Sequence, residues 1–583
     1  MDIYDTQFDL NVDRVSTWLM SEVDEEKILR MAELHSLNPS IARCLLIRGV
    51  SDDEVDDFLR APLDLLTDPF RLPDMAKAVA RVWRAIQEGE HIFVHGDYDT
   101  DGVTSSVLVK WALEAYGAKI DVFVSNRMED GYGPTPATVQ KLYDRGARLI
   151  ISTDCGITSF AACEKASELG IDIIVTDHHN PGSELPSAFA LVNPRLDSSL
   201  TDLHGLAGVG VAFKMCHALV KYAIKQGVEK KVDLRAGLDL VALGTVADVS
   251  PLVGENRSLV KNGLKLITYR RRVGLIALTE VAHVEGTVTT SDISRRLAPK
   301  INAAGRVGDP MISAELLMTN DRSTASRLAY MLERFNRKRR QAERKAYKEV
   351  MSIARQEQAC GSRGAMVIVG EGWHPGVIGL MATRVSRHYD CPVIILCYDR
   401  TSRELLGSGR SCAQLNILDV LVSCKDLLSS FGGHPMAVGV SMKRENVACF
   451  KECFIGAFQG DGVARIPRDN RLYADDELQF SDVNCEFMDQ FEALGPFGSG
   501  NSEPIFFFRK SHVQQVILLG ERHCRGTIED EKGVQMSFVC YSMSDAQFPR
   551  GQVSIMASPR RVTIKGFTEI QLFITDVRNY EEL

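Results

Sequence analysis

The sequence predicts a multidomain α/β protein that ends in a small β-barrel, and three observations support this prediction. The chain has 583 residues, which is too long for one hydrophobic core, so three or four domains are expected. Apolar, β-branched runs recur roughly every 25 residues between positions 92 and 175 with helical patterns between them, which is typical of a doubly wound parallel sheet. Closely spaced strand patterns with glycine and polar turns occupy the C-terminal part, which favours a barrel.

These patterns divide the chain into five segments. Residues 1–75 mix short helical patterns with prolines and form a lead-in or cap, and residues 76–322 contain the alternating pattern of the parallel sheet. Residues 323–358 have the 3.6-residue apolar period of one long helix, about 50 Å in length. A second α/β block covers residues 359–462, and the barrel covers residues 463–583.

The middle of the predicted long helix is strongly basic. Arg334 to Lys348 contains eight basic residues and one acid, Glu343. Such a run is usually a solvated helix face, but it would also suit a groove that attracts a polyanionic strand. The sequence leaves both interpretations open.

Composition sets limits on the function. The apolar fraction of 45% and charged fraction of 25% predict a fully packed globular structure. The net charge of −9 gives no global support for nucleic-acid binding, so such binding would depend on local patches. Fourteen cysteines without a CxxC pair predict buried thiols in a reducing compartment. With no signal-peptide core and no apolar run near the ~20 residues that span a bilayer, we expect a soluble, cytoplasmic protein without membrane association.

Acids and histidines cluster where predicted strands end. They follow four apolar runs: Asp97, Asp99 and Asp101 after the first, Asp154 after the second, Asp177, His178 and His179 after the third, and Asp248 after the fourth. One aspartate at a strand end is usually a helix N-cap, but acidic side chains at the ends of four predicted strands indicate metal binding. Carboxylate and imidazole ligands without cysteine suit Mn²⁺ or Mg²⁺ in hydrolysis rather than a structural zinc. The residues therefore predict a two-metal centre that cleaves phosphoesters.

Several motifs extend this pattern along the chain. They are His95–Gly102, Ser152–Gly156, Asp177–His179, Gly244–Val249, Ile301–Arg306, Gly407–Ser411, Gly432–His434 and Leu494–Gly498. In number and order they resemble the DHH phosphoesterase superfamily and, within it, the RecJ family of single-strand-specific exonucleases, over roughly residues 45–575. The resemblance implies a DHH catalytic domain, a DHHA1-type second α/β domain joined to it by the long helix, and a C-terminal OB-fold domain.

The resemblance also implies roles at the metal centre. Asp99, Asp101, Asp154, His178 and Asp248 would bind two ions, Mn²⁺ or Mg²⁺, with Asp154 as the bridging ligand. His95 and Asp97 are further ligand candidates: His95 fits a histidine that often precedes the first ligand aspartate by four positions, and Asp97 belongs to the denser motif of this subgroup. His179 would face the scissile phosphate, or would orient the ligands instead. Asp154 and His179 are thus the expected catalytic residues, acting on a water that the ions activate.

Phosphate-binding roles are implied for residues outside the acidic motifs. The substrate-binding candidates are Arg127, Asn302, Arg306, Ser408, Arg410, Gly433 and His434. Arg306, Ser408 and Arg410 would receive a terminal 5′ phosphate, a task that suits the planar guanidinium group. The glycines before His434 also fit a helix C-cap, because the apolar pattern that precedes them is helical.

The predicted barrel has aromatic and basic residues suited to stacking on a single strand. They are Phe506, Phe507, Phe508, Arg509 and Lys510. Because side chains alternate along a strand, at least one of these phenylalanines must belong to the core.

The resemblance implies a processive 5′→3′ exonuclease that degrades single-stranded DNA to mononucleotides in DNA repair and recombination. Single-strand-binding protein and a recombination helicase are candidate partners, and a monomer is expected. One alternative is a DHH phosphodiesterase acting on short oligonucleotides or cyclic dinucleotides, although such relatives generally lack the barrel and the long basic helix. The other is a non-catalytic scaffold that binds single-stranded DNA, which is disfavoured because every ligand position carries a side chain able to bind metal.

Overall fold

The structure is a computed structural model with two compact units. It describes residues 17–582 except 127–129, 132, 360–363, 399–403, 413–414, 459–470, 520–522, 542, 544–546 and 565–566. The larger unit contains Trp18–Glu333 and Leu472–Leu583, and the smaller unit contains Arg334–Arg471. The predicted multidomain α/β architecture is confirmed, and each unit is described by itself.

Short elements begin the larger unit. They are β1 (Thr17–Met20), α1 (Glu25–His35), α2 (Pro39–Ile47) and α3 (Val55–Arg60). The carboxyl group of Asp24 and the amide oxygen of Asn38 accept backbone N–H groups at the starts of α1 and α2, respectively, which fixes where these helices begin.

A five-stranded parallel sheet positions the predicted metal centre. Its elements are α4 (Met75–Glu88), β2 (His91–Gly96), α5 (Thr100–Glu114), β3 (Lys119–Val124), α6 (Pro136–Asp144), β4 (Leu149–Thr153), α7 (Phe160–Glu168), β5 (Asp172–Thr176) and β6 (Ala190–Val192). The strand order is β3-β2-β4-β5-β6, and β2 pairs with both β3 and β4. Successive strands are therefore added on one side of β2 and then on the other, so the strand order reverses between β2 and β4. In parallel sheets, ligands bind beyond the carboxyl ends of the strands at such a point.

Helices follow the sheet. They are α8 (Gly208–Lys225), α9 (Leu238–Ala247), α10 (Gly254–Thr268), α11 (Val273–Val281), α12 (Thr290–Asp292), α13 (Ala298–Val307), α14 (Met311–Met318) and α15 (Arg322–Ala359). The prediction that Asp248 follows a strand is wrong, because the preceding apolar run is α9 and Asp248 is its C-cap residue. Every side chain from Leu238 to Val246 is buried, and a short helix that is apolar on all sides has no period that separates it from a strand.

The predicted long helix is present as α15. It begins next to Asp321, whose carboxylate accepts the backbone N–H of Thr324 (2.7 Å). In its basic part, the buried Glu343 forms ion pairs with Arg339 of the same helix (3.0 Å) and with Arg384 of the smaller unit (2.9 Å). Part of the basic run therefore supports the packing of the smaller unit.

The smaller unit contains a mixed five-stranded sheet of order β10-β11-β9-β8-β7. Its further elements are β7 (Met366–Gly370), α16 (Pro375–Tyr389), β8 (Val393–Tyr398), β9 (Glu404–Arg410), α17 (Ile417–Ser423), β10 (Ser430–His434), β11 (Ala437–Lys443) and α18 (Val447–Ala457). The helix C-cap interpretation of Gly432 and Gly433 is wrong, because both lie in the exposed edge strand β10. Pairing with β11 determines this conformation, which the local apolar pattern does not reveal.

The C-terminal part of the larger unit is a closed barrel, as predicted. Its elements are β12 (Arg471–Ala474), β13 (Asp476–Glu477), α19 (Cys485–Ala493), β14 (Phe506–Leu519), β15 (His523–Asp530), β16 (Gln535–Cys540), β17 (Gln552–Ile564) and β18 (Phe567–Asn579). Pairing of β14 with β17 closes it. In β15 only Cys524 and Ile528 are buried, so this strand lacks the alternating apolar pattern.

The barrel core includes side chains from the beginning of the chain. Ile28, Met31, Ile41 and Leu45 belong to the same buried cluster as Phe506 and other barrel residues. The N-terminal helices thus pack with the C-terminal barrel. Within the described residues, no helix is long and apolar enough to cross a bilayer.

Candidate metal centre

Two helix N-termini hold the aspartates that follow β2. Asp99 is the N-cap of α5, and its Oδ1 accepts the backbone N–H groups of Asp101 (2.9 Å) and Gly102 (3.2 Å). The two carboxylate oxygens of Asp101 accept the N–H groups of Gly208 (2.7 Å) and Val209 (2.9 Å), which begin α8. Because helix N-termini favour negative charge, both carboxylates are fixed in orientation before any cation binds.

Side chains from four parts of the sequence meet beyond the sheet edge. Three groups have ligand atoms within 4.8 Å of one another: Asp154 with His178 and His179, Asp101 with His178 and Asp248, and Asp97 with Asp99 and Asp154. Asp154 and His178 each belong to two groups, so the groups overlap. The described part of the chain contains no other cluster of this kind.

The centre contains buried polar atoms that suit a cation. Asp154 Oδ1 and His178 Nε2 lie 3.1 Å apart, and neither has a hydrogen-bond partner among the described residues. Buried polar atoms without a partner are costly, and a shared cation would satisfy both. Carboxylate oxygens with imidazole nitrogen are suitable ligands for Mn²⁺ or Mg²⁺. The residues therefore fit the two ions that the sequence implies.

Electrostatic repulsion supports the same conclusion. Burial, and then the charges of neighbouring aspartates, raise the pKa of Asp154 and of Asp101 well above the usual value. Burial is also the main cause of the raised pKa of Asp99. Several carboxylates this close together cannot all be charged at low cost unless cations lie between them.

Asp177 orients the two histidines that follow it. Its Oδ1 accepts the backbone N–H groups of His178 (2.7 Å) and His179 (3.1 Å), and its Oδ2 accepts that of Ile157 (3.0 Å). The same Oδ1 lies 2.7 Å from His179 Nδ1, which places a proton on Nδ1. Burial opposes charge on His179, but the hydrogen bond and charge of Asp177 outweigh it and raise the pKa of His179 to about 9.

His95 lies in the same region but in none of the three groups. Its Nε2 is 3.2 Å from Ser125 Oγ, and burial lowers the pKa of the ring to about 4, so the imidazole is neutral. Its role as a ligand stays a prediction, whereas Asp97 does lie among the ligand-competent groups.

The candidate phosphate contacts of the larger unit lie on α13. Asn302 Oδ1 accepts both the backbone N–H and the hydroxyl of Thr100, each at 2.7 Å, which fixes α13 against the start of α5. Arg306 follows one turn later on the same helix. Gly305 allows this close approach, since a Cβ there would lie 2.6 Å from Tyr98 Cδ2. Arg127 lies outside the described residues.

The remaining candidates lie on adjacent strands of the smaller unit. In the β9-β11-β10 register, Arg410 pairs with Ala437, which pairs with His434, and Gly433 lies beside them. Arg410 Nη1 donates to Ser408 Oγ at 3.2 Å. The structure thus brings Ser408, Arg410, Gly433 and His434 to one region of this sheet.

Sequence reasoning missed three features near these sites. His374 caps α16, where its Nδ1 accepts the N–H of Gly376 (3.1 Å), and the proline that follows it was the available signal. Gly208 packs against Asp154, so closely that a Cβ added to Gly208 would lie 2.6 Å from Asp154 Oδ1. Arg195 donates from Nε to the carbonyl oxygen of His178 (2.8 Å). Nothing local in the sequence marks the last two.

Comparisons with known proteins agree with this geometry. Family models match the DHH family N-terminal domain at residues 91–245, the DHHA1 domain at 361–459 and the RecJ OB domain at 474–576. The chain is 32% identical over 555 residues to the single-stranded-DNA-specific exonuclease RecJ of Bacillus subtilis (strain 168), covering 92% of this chain and 68% of that protein. It is 34% identical to RecJ of Escherichia coli (strain K12), covering 95% and 98%. The crystal structure of RecJ in complex with Mn²⁺ from Thermus thermophilus matches with a TM-score of 0.80 at 28% identity, covering 97% of this chain and 79% of that one.

Proposed function

The chain belongs to the RecJ family of single-stranded-DNA-specific exonucleases, and from that premise we propose that it hydrolyses single-stranded DNA from the 5′ end to mononucleotides. The reaction requires two divalent cations, Mn²⁺ or Mg²⁺. The observation that carries the proposal is the set of three overlapping ligand groups at the carboxyl edge of the parallel sheet. Because the ligand positions, the long helix and the OB barrel are all present, this function is favoured over that of a scaffold or a phosphodiesterase for short oligonucleotides.

The proposed ligands are Asp97, Asp99, Asp101, Asp154, His178 and Asp248, with His95 as a further candidate. Asp154 is the proposed bridging ligand because it belongs to two of the groups and, unlike His178, has two oxygens that can bind different ions. When bound, the two ions supply an activated water and neutralise charge on the phosphoryl oxygens. Asp101 is oriented by the N-terminus of α8, so its carboxylate needs no rearrangement to bind.

His179 is the proposed contact to the scissile phosphate. Asp177 holds the proton on Nδ1 and fixes the plane of the ring. A protonated His179 adds positive charge near phosphoryl oxygens as negative charge develops on them. Arg127, Asn302 and Arg306 are proposed contacts to the strand from the larger unit.

Ser408 and Arg410, with Gly433 and His434 nearby, are the proposed contacts of the smaller unit to phosphate groups. A guanidinium presents two parallel N–H donors to a phosphate, and Arg410 is already oriented by its bond to Ser408. A terminal 5′ phosphate is the group we expect there.

The cellular setting belongs to the same proposal. We expect a role in DNA repair and recombination, with single-strand-binding protein and a recombination helicase as partners, and a monomeric, cytoplasmic protein. The thirteen cysteines that the structure describes are free thiols, most of them buried, which fits a reducing compartment.

The proposal is tested by Mn²⁺-dependent digestion of a single strand of about 30 nucleotides, longer than the ~4–16 nucleotides that one OB domain contacts. The strand is labelled at its 5′ end in one reaction and at its 3′ end in another. We expect immediate release of the 5′ label as a mononucleotide and resistance of a matched duplex. Rapid cleavage of a dinucleotide with the long strand intact would show that the substrate assignment is wrong.

A further inference from the structure

Arg195 lies beside the metal centre although none of the sequence motifs includes it. It is in a single 3₁₀ turn, Pro194–Leu196, that follows β6, and β6 pairs with β5, the strand that leads into the two histidines. Its Nε donates to the carbonyl oxygen of His178 at 2.8 Å. The guanidinium is therefore attached to the backbone of a proposed metal ligand.

A second bond fixes the turn itself. Asn193 is fully buried, and its Nδ2 donates to the carbonyl oxygen of His179 at 2.9 Å. Its Oδ1 accepts the backbone N–H of Arg195 at 2.8 Å. The Asn193–Arg195 segment thus follows the His178–His179 backbone through two independent hydrogen bonds, and the position of Arg195 relative to the centre is fixed.

The terminal nitrogens of Arg195 have no partner within the described residues. Two other exposed arginines of the larger unit are each paired with an aspartate at 2.7 Å: Arg71 with Asp202 and Arg235 with Asp233. Arg195 lies next to a dense group of carboxylates, yet it forms no ion pair within 4.0 Å among the described side chains. An exposed guanidinium that is anchored through Nε presents Nη1 and Nη2 to an external anion.

We propose that Arg195 binds a phosphate group of the DNA strand next to the metal centre. The inference rests on the proposed function, because it assumes a polyanionic strand at this edge of the sheet. Anchoring through Nε leaves the two terminal N–H groups for the non-bridging oxygens of one phosphate. Arg195 then supplies positive charge to a site whose own side chains are mainly acidic, and it does so without binding a metal.

The test compares Arg195→Gln with the wild-type full chain in kcat/KM for a 5′-phosphorylated single strand, with Mn²⁺, over a range of salt concentrations. Loss of a charge-assisted phosphate contact should lower kcat/KM roughly 10- to 100-fold at low salt. It should also reduce the slope of log(kcat/KM) against log[salt] by about 0.7, the contribution of one phosphate contact on a single strand. Arg195→Lys should restore most of the slope, since it keeps the charge.

The matched control is Arg235→Gln, which removes an exposed, ion-paired arginine of the same domain and should leave rate and slope unchanged. Mn²⁺ titration of Arg195→Gln without DNA should give wild-type affinity. Weakened Mn²⁺ binding with an unchanged slope would overturn the proposal and make Arg195 a support for His178. The proposal would also be overturned if Arg195→Gln left the salt slope of kcat/KM unchanged but weakened inhibition by a mononucleotide. That result would mean that Arg195 contacts the released product rather than the strand. Inactivity of the wild-type chain on single strands would instead reject the proposed function.

Discussion

Asp154 combines an unusual backbone with the central position in the metal centre. Its φ of +61° lies in the left-handed region that residues other than glycine rarely adopt. Val249, directly after Asp248, also has a positive φ (+63°), which is more costly for a β-branched side chain. Two strained residues at or beside proposed ligands indicate that the surrounding fold holds the ligands in place against local preference.

Asp154→Asn should abolish cleavage and leave the fold intact. Asparagine tolerates a positive φ and has the same shape, but it removes the charge of the proposed bridging ligand. We expect a loss of at least about 10²–10³-fold in kcat. Mn²⁺ at 100 times its Kd should stabilise the wild type by about 2.7 kcal/mol and the variant much less, measured by thermal denaturation with and without chelator. Robust residual activity would contradict the two-metal assignment.

Gly208→Ala should weaken metal binding although Gly208 is no ligand. A Cβ at this position would lie 2.6 Å from Asp154 Cβ and Oδ1, so Asp154 would have to move. Displacement of an orienting contact typically costs about 10–100-fold in metal affinity. Mn²⁺ titration of the full chain measures this directly.

Gly210→Ala is the matched control for Gly208→Ala. It lies on the same helix, and the three atoms nearest to its Cβ would all belong to the flexible Leu206 side chain, the first being Cδ2 at 3.1 Å. Equal Mn²⁺ affinities for the two variants would show that the close contact at Gly208 has no role in orienting Asp154.

For single residues, the sequence predicts which acidic side chains form the metal centre but not which contacts orient them. Asp99, Asp101, Asp154 and His178 follow strands, so their convergence can be expected from the topology of a parallel sheet. Gly208 contacts Asp154 only because α8 folds back over the sheet edge, and a single sequence does not encode that contact locally. Asp248 reaches the centre from a helix rather than from a strand.

The helix α10 connects three parts of the larger unit through two basic side chains. Arg257 donates to the carbonyl oxygens of Phe58 (3.0 Å), Ala493 (3.1 Å) and Leu494 (2.8 Å), and Lys261 donates to Leu59 and Ala493. These carbonyls lie at the C-terminal ends of α3 and α19, where backbone oxygens have no partner within the helix. Positive charge at a helix C-terminus is also favourable.

Arg257→Met should destabilise the larger unit by about 3 kcal/mol or more, since each carbonyl left buried without a donor costs ~1–3 kcal/mol. The variant also loses the contact between the guanidinium and the Phe58 ring, whose centre is 3.9 Å away. Lys265→Met, on an exposed position of the same helix, should change stability by less than about 0.5 kcal/mol. Chemical denaturation measures both, and equal stability of the two variants would contradict the capping role.

Side-chain alternation along β14 decides which aromatic residues can contact a strand. Phe506 and Phe508 are buried in the core, and Phe507 points outward, where it contacts the Trp18 ring and Arg509. The expectation that at least one phenylalanine is core is therefore confirmed. Arg509 itself is paired with Glu477 at 2.8 Å. Periodicity predicts the alternation, but which face is inward depends on the closure of the barrel.

For the whole molecule, the N-terminal helices and the C-terminal barrel form one core. Leu45 of α2 is fully buried in the cluster that contains Phe506, Phe508 and Phe538. Strand β1 also pairs with β12, and Trp18 donates to Asp576 at 2.8 Å. The helices α1 and α2 therefore contribute to the barrel core rather than forming a separate core.

Leu45→Ala should destabilise the barrel by about 2–5 kcal/mol, because it removes a fully buried side chain from the shared core. Hydrogen exchange of the amides in β14, β16 and β18 should accelerate, although the substitution lies in α2. Leu29→Ala, at an exposed position of α1, is the matched control and should leave exchange unchanged. Unchanged protection of the barrel in Leu45→Ala would show that the barrel folds without the N-terminal helices.

The arrangement of the whole chain was only partly predictable. Alternating patterns and turn residues give the number and classes of the domains, because those signals are local. The contact between the first helices and the last strands joins segments that are distant in sequence, and neither amphipathic pattern identifies its partner. The sequence therefore predicts a lead-in or cap for residues 1–75 and does not predict their contact with the barrel.

The shared core has a consequence for the order of events during synthesis. The apolar faces of α1 and α2 leave the ribosome long before the barrel strands that cover them, because α2 ends at Ile47 and β14 begins at Phe506. At ~5–20 residues per second, this delay is roughly 20–90 s, far longer than a helix needs to form. Throughout that time Ile28, Met31, Ile41 and Leu45 lack their final partners. A nascent chain arrested before β14 should therefore be bound by chaperones at its N-terminal helices, and release should coincide with completion of the barrel.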